Sequence, residues 1–158
     1  MIIDIEEITN ILTSKKIKII GCIHVGSQSY IEDDIYKRLG IETANIVWID
    51  APTQISKISQ ISHKSITLDT LFERNNIDAS KYNFWRLDIK TTELLALEGA
   101  MKSIKHVKAL YIGVNSAIIT ELDALLAPYN FKRYLTKITI DKWGEALYIL
   151  DILDYSIF

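Results

Sequence analysis

Asp88 and Glu93 stand five residues apart, the first near the end of an apolar run at residues 82–89, the second at the start of an apolar-faced segment at 92–104. A strand end followed by a helix start brings two such carboxylates to one edge of a sheet. There they can position a substrate hydroxyl and accept its proton. The same residues have a plainer use: Glu93 favours a helix N-terminus through the macrodipole, and Thr91 or Thr92 caps it. Two further places could hold a ligand. His24-Val25-Gly26 follows a β-branched run at residues 17–23, and glycine permits the positive φ or close backbone approach that a ligand-binding turn needs. Asp50 ends the apolar run 45–50, and an acid at the carboxyl end of a strand can accept hydrogen bonds from ribose hydroxyls. His24 can also be read as a loop histidine satisfied by its surroundings, and Asp50 as the cap of the segment that follows.

Hydrophobic periodicity supplies the elements that would position these groups. Ile5, Ile8, Ile11 and Leu12 recur at helical spacing and predict a helix over residues 3–13. Residues 17–23 read as a strand buried on both faces, 24–28 as a loop, and 30–39 as a helix closed by Gly40. A second strand is expected over 45–50. Residues 53–64 give a weak pattern in which Ile55, Ile58 and Ile61 recur among Ser and Gln. A short helix over 68–74, a strand over 82–89 and a helix over 92–104 follow, the last with Leu94, Leu95, Leu97, Ala100, Met101 and Ile104 on a broad apolar face. Then come a strand over 107–114, a helix over 118–126, and strands over 131–140 and 145–153 joined by the turn Asp141-Lys142-Trp143-Gly144. Strands alternating with helices imply right-handed crossovers and a parallel sheet, and the final hairpin puts one antiparallel strand into it. The expectation is a single α/β domain over residues 1–158, Rossmann-like, with a mainly parallel sheet ending in an antiparallel hairpin. That is the layout of class I S-adenosylmethionine-dependent methyltransferases.

A chain of 158 residues buries enough surface to fold without a metal or disulfide. Its net charge of −2 and isoelectric point near 5.9 lack the basic footprint of a nucleic-acid partner. His24, His63 and His106 are scattered, so no metal site is expected. Cys22 has no second cysteine to pair with, which points to a reducing compartment such as the cytoplasm. No apolar run is long enough for a membrane span, and Asp4, Glu6 and Glu7 do not suit a signal peptide.

The motifs resemble those of FkbM-type methyltransferases over most of the chain. The carriers are His24-Val25-Gly26, Tyr36-Lys37-Arg38-Leu39-Gly40-Ile41 followed by Val47-Trp48-Ile49-Asp50-Ala51, and Thr67-Leu68-Asp69. Leu87-Asp88-Ile89 with Glu93-Leu94 and Glu98-Gly99-Ala100 forms the most distinctive block, and Trp143-Gly144-Glu145-Ala146-Leu147-Tyr148 closes the pattern. The resemblance implies S-adenosylmethionine as cofactor, held by His24, Gly26 and Asp50, and O-methylation of a sugar or small-molecule hydroxyl served by Asp88 and Glu93. Against the family pattern, Ile20 stands for an acid, Cys22 for the first turn glycine, Thr91 for a glycine and Gly113 for an acid. The chain between Asp50 and Tyr82 is also too short for a third strand and helix. These departures imply an eroded cofactor site, in which Cys22 would crowd the cofactor, and a domain that has lost catalysis and serves as a structural or interaction module. The alternative is an active methyltransferase. The unpaired second-strand edge, the stripe Ile55, Ile58 and Ile61, and the apolar Tyr155, Ile157 and Phe158 imply a homo-oligomer or a subunit of a larger assembly. Members of the family occur in bacteria and large DNA viruses, which adds a virion to the compartments expected.

Overall fold

The computed structural model describes residues 3–26, 30–49, 66–90 and 92–152. Strands β1 (Cys22–Gly26), β2 (Ile46–Ile49), β3 (Phe84–Asp88), β4 (Ala109–Asn115), β5 (Phe131–Ile138) and β6 (Trp143–Leu150) form one sheet in the order β2-β1-β3-β4-β6-β5. The first four run parallel, and β6 lies antiparallel to both β4 and β5. This is the expected Rossmann-like sheet with its terminal hairpin. The expectation that residues 53–64 carry no strand lies outside the described residues, as do Asp50, Thr91, the stripe Ile55, Ile58 and Ile61, and the C-terminal Tyr155, Ile157 and Phe158.

Alternation along the strands divides the core. Helices α1 (Ile5–Ser14) and α2 (Tyr30–Arg38) place Ile8, Leu12 and Tyr36 against Cys22, Phe84, Tyr111 and Leu147 on one face. Helices α3 (Leu68–Arg74), α4 (Glu93–Glu98) and α5 (Ile119–Leu126) place Leu71, Phe72, Leu97 and Leu122 against Val25, Trp85, Leu87 and Ile112 on the other. Asp4 and Glu7 form a capping box that starts α1. No helix among the described residues is long and apolar enough to cross a membrane.

Two expectations need correction. Residues 17–21 do not form a strand, and His24-Val25-Gly26 is not a loop, because β1 begins only at Cys22 and runs through Gly26. Asn83 accounts for the shift. Its Oδ1 accepts from the Ile20 N–H at 2.9 Å, and its Nδ2 donates to the Lys18 carbonyl at 2.8 Å. A side-chain amide thus takes the backbone groups that a strand neighbour would otherwise take. The later register moves Cys22 away from the turn. It is fully buried in the α1–α2 core, where burial pushes its thiol pKa well up, so it does not crowd the crevice.

The helix predicted over 92–104 stops at Glu98. Asp69 ends it from outside. The Asp69 N–H donates to the Gly99 carbonyl at 3.0 Å, while its carboxylate accepts from the backbone N–H of Lys102 and Ser103, each at 2.9 Å. A Cβ on Gly99 would come within 2.9 Å of the Thr67 Cβ. Thr67-Leu68-Asp69 therefore acts as a dock for the end of α4.

Gly26 has φ +134, and a Cβ there would sit 2.1 Å from the Asp88 carbonyl oxygen. Both strain and collision oppose a side chain. Gly26→Ala is expected to lower stability by about 2–3 kcal/mol, measured by urea unfolding. A loss below 0.5 kcal/mol (roughly the surface-substitution range) would show that the strand end relaxes freely.

Candidate functional site

The carboxyl ends of β1, β3 and β4 and the start of β6 reach the same edge of the sheet. Gly26 is level with Asp88, and Gly113 with Glu145. A cavity of about 440 Å³ opens there. Asp88, Lys90 and Glu93 line it from β3 and the start of α4. Gly113 closes the back, Trp143, Gly144 and Glu145 come from β6, which starts two residues before the expected 145, and Asp141 comes from the hairpin turn. A smaller cavity on the α3–α4 side, lined by Ile66, Leu68, Leu95 and Ala96, is mostly apolar and brings together no acid–base pair.

Asp88 and Glu93 are thus brought together, as the sequence predicts. Glu93 is only 1% exposed. Its Oε1 accepts from the Ile89 N–H at 3.1 Å, which ties helix start to strand end. Its Oε2 is buried with no hydrogen-bond partner among the described residues. Burial raises the Glu93 pKa against the pull of backbone N–H groups, and the nearby Asp88 charge adds to the rise. A Cβ on Gly113 would stand 3.1 Å from Glu93 Oε1 and 3.5 Å from Asp88 Oδ1. Glycine at this position therefore leaves open the space that the two carboxylates share.

Behind the cavity lies a buried charge cluster that sequence reasoning missed. Arg86 is 4% exposed. Its guanidinium lies 3.4 Å from Asp88 Oδ2, 3.2 Å from Glu145 Oε1 and 3.5 Å from Glu32 Oε1, and stacks 4.3 Å from the Tyr111 ring centroid. Burial works against its charge, and the surrounding Asp88, Tyr111, Glu145 and Glu32 outweigh it, so its pKa is raised. Glu145 also accepts from the Tyr111 hydroxyl and, at 3.2 Å, from the Ile3 N–H. The available signal was a charged residue inside the otherwise apolar stretch of β3 and another inside β6.

His24 does not line the cavity. It is fully buried on the α2 face; Nδ1 shares a 2.6 Å hydrogen bond with the Tyr36 hydroxyl, and the ring packs 4.6 Å from Trp48. Its Nε2 is 3.6 Å from Glu32 Oε2, and Glu32 in turn lies 3.5 Å from the Arg86 guanidinium that pairs with Asp88. Gly26 reaches the sheet edge but not the cavity wall. Asp50, the third residue expected at the cofactor, lies outside the described residues.

The same sheet recurs in solved structures. A proposed tRNA (m1A22) methyltransferase from Streptococcus pneumoniae, in complex with S-adenosyl-L-methionine, matches with a TM-score of 0.54 and 16% identity over 95% of this chain and 76% of that one. A second structure of that protein matches at 0.54 and 15% identity, over 99% and 74% of the two chains. A member of the NADB-Rossmann superfamily from Streptococcus agalactiae matches at 0.52 and 15%, over 95% and 68%. The fold is that of S-adenosylmethionine-dependent methyltransferases. No family model matches the sequence, and no curated protein matches it. The fit of a cofactor can be tested on the described part of this methyltransferase fold. At Gly26 the place of a side chain is taken by the Asp88 carbonyl, so glycine there serves the packing of β1 on β3, while Gly113, on the far side of β3, leaves open the space beside Asp88 and Glu93. That open space, and not the Gly26 strand end, is what the described residues offer a methyl donor and its acceptor.

Proposed function

We propose that this chain transfers a methyl group from S-adenosylmethionine to a hydroxyl of a polar small molecule. The observation that carries the reading is Glu93 Oε2, a buried carboxylate oxygen with no hydrogen-bond partner among the described residues, on a cavity beside Asp88. An unsatisfied buried carboxylate costs stability, and such groups cluster where chemistry needs them. Bound at this sheet edge, where the family resemblance would set Gly26 and Asp50 against it, the cofactor would supply a methyl on a positively charged sulfur. Asp88, partly exposed and ion-paired through Oδ2, accepts a hydrogen bond from the acceptor hydroxyl and orients it. Glu93, its proton affinity raised by burial, takes the hydroxyl proton at Oε2. The reading extends the FkbM-type resemblance, which supplies the hydroxyl acceptor. A nucleic-acid acceptor suits this cavity poorly, because its acidic wall repels phosphate.

The second reading, a domain without catalysis that serves as a module in an assembly, is favoured by one observation: among the described residues β2 ends the sheet, leaving the cofactor's adenine side without a further strand. Calorimetry with S-adenosylmethionine separates the two. Binding at about 10 μM or tighter, equivalent to roughly −7 kcal/mol, would support methyl transfer. No heat at millimolar cofactor would overturn it, and light scattering would then test the module reading through its assembly.

A further inference from the structure

We infer that Trp143 selects the acceptor: its indole takes the apolar face of a ring that carries the hydroxyl to be methylated. The inference rests on the methyl-transfer reading for the hydroxyl alone, and on Trp143 for the ring. Trp143 opens β6 and lines the same cavity as Asp88 and Glu93. The other two tryptophans are spent on packing. Trp85 is fully buried and meets Phe72 at 5.6 Å, and Trp48 packs on His24 and Tyr36. Trp143 is 40% exposed, and its ring meets no aromatic ring or cation among the described residues. Its backbone is fixed. The Trp143 carbonyl accepts from the Thr139 N–H at 2.8 Å and from the Thr139 hydroxyl at 2.9 Å, and the Ser116 N–H, just past β4, donates to the Lys142 carbonyl at 3.3 Å. The exposure therefore belongs to the indole, a flat apolar plate on a pinned turn. Glu145 stands two positions on and lines the cavity too, so the two side chains leave one face of β6. Aromatic surface left in water forfeits its burial, and at the mouth of a pocket a ligand restores it. A pyranose ring meets both demands. Its face offers C–H groups to an aromatic plate, and its edge offers hydroxyl donors to carboxylates, which only accept. In this arrangement the ring rests on Trp143 and an edge hydroxyl meets Glu93 Oε2. An open-chain polyol has the same donors and no flat face.

Calorimetry of methyl glucoside, methyl galactoside and the open-chain sorbitol against the full chain, with S-adenosylmethionine present, tests the inference. At least one pyranoside is expected to bind about tenfold more tightly than sorbitol, the worth of one stacked aromatic contact. Trp143→Tyr, which keeps a flat ring, should retain that preference. Trp143→Leu, apolar but not flat, should lose it, with cofactor affinity unchanged in both variants. Equal binding of ring and open chain, equal losses in the two variants, or a preference that survives Trp143→Leu would overturn the inference and leave the methyl-transfer reading standing. So would the absence of pyranoside binding to protein that does bind the cofactor. A preference that depends on Trp143 in protein that binds no cofactor would do the reverse.

Discussion

Arg86→Met is expected to destabilise the fold by about 3–5 kcal/mol, the usual cost of stripping one partner from a buried ion cluster. Methionine replaces the apolar stem closely, so lost packing contributes little. What disappears is the guanidinium that Asp88, Glu145 and Glu32 share within 3.5 Å. A chain of this length loses roughly 2–4 °C of Tm per kcal/mol, so the melting temperature should fall by about 10 °C or more. The loss should depend on pH. Without the cation, the folded-state pKa of the buried carboxylates rises above the unfolded value, near 4.3 for Glu. The folded variant then binds more protons than the unfolded chain, and its stability falls as pH rises through that interval. The gap to the wild type should narrow below about pH 4.5 and be full at neutrality. Urea unfolding at both ends of the range checks this. A neutral-pH loss under about 1 kcal/mol, within the range of a surface pair, would show that the cluster adds nothing to stability.

The features visible in the sequence are those fixed by neighbours close along the chain. Alternating strands and helices, the terminal hairpin, and the pairing of Asp88 with Glu93 all depend on local spacing, and the structure has them. What was not legible depends on distant residues. β1 starts late because Asn83, more than sixty positions away, occupies the backbone groups of Lys18 and Ile20. The segment 92–104 has an uninterrupted apolar face, yet Asp69 stops its helix from 33 and 34 positions upstream, at Lys102 and Ser103. Arg86, Glu145 and Glu32 come from β3, β6 and α2, and no spacing rule joins them. The misplacement of Cys22 follows directly from the late start of β1. The strand starts five residues later than expected and ends three later, which makes an apparent turn residue a core cysteine and removes an apparent obstruction of the cofactor. One ground for expecting an eroded site is thereby removed, while among the described residues β2 still ends the sheet.

Glu93→Gln separates a catalytic carboxylate from a structural one, because the two roles move stability and rate in opposite directions. Glutamine keeps the shape and the acceptor for the Ile89 N–H but cannot take a proton. If Glu93 Oε2 receives the acceptor's proton, methyl transfer should fall by about 10²–10⁴-fold, the range for removal of a general base. Transfer of labelled methyl from S-adenosylmethionine to a sugar hydroxyl, under saturating cofactor, is the first readout. Stability should change the other way. Burial raises the Glu93 pKa above its ordinary value of 4.5, so between that value and the raised one the folded state holds a proton that the unfolded chain has released. Wild-type stability therefore falls as pH climbs through this window, and the glutamine variant is spared the fall. The variant should gain on the wild type as pH rises above about 4.5, with the difference flat at lower pH, where Glu is protonated in both states. A variant that loses stability at neutral pH and keeps its rate would make Glu93 a strut that ties β3 to α4. A stability difference that does not vary with pH would remove the raised proton affinity on which its role as base depends.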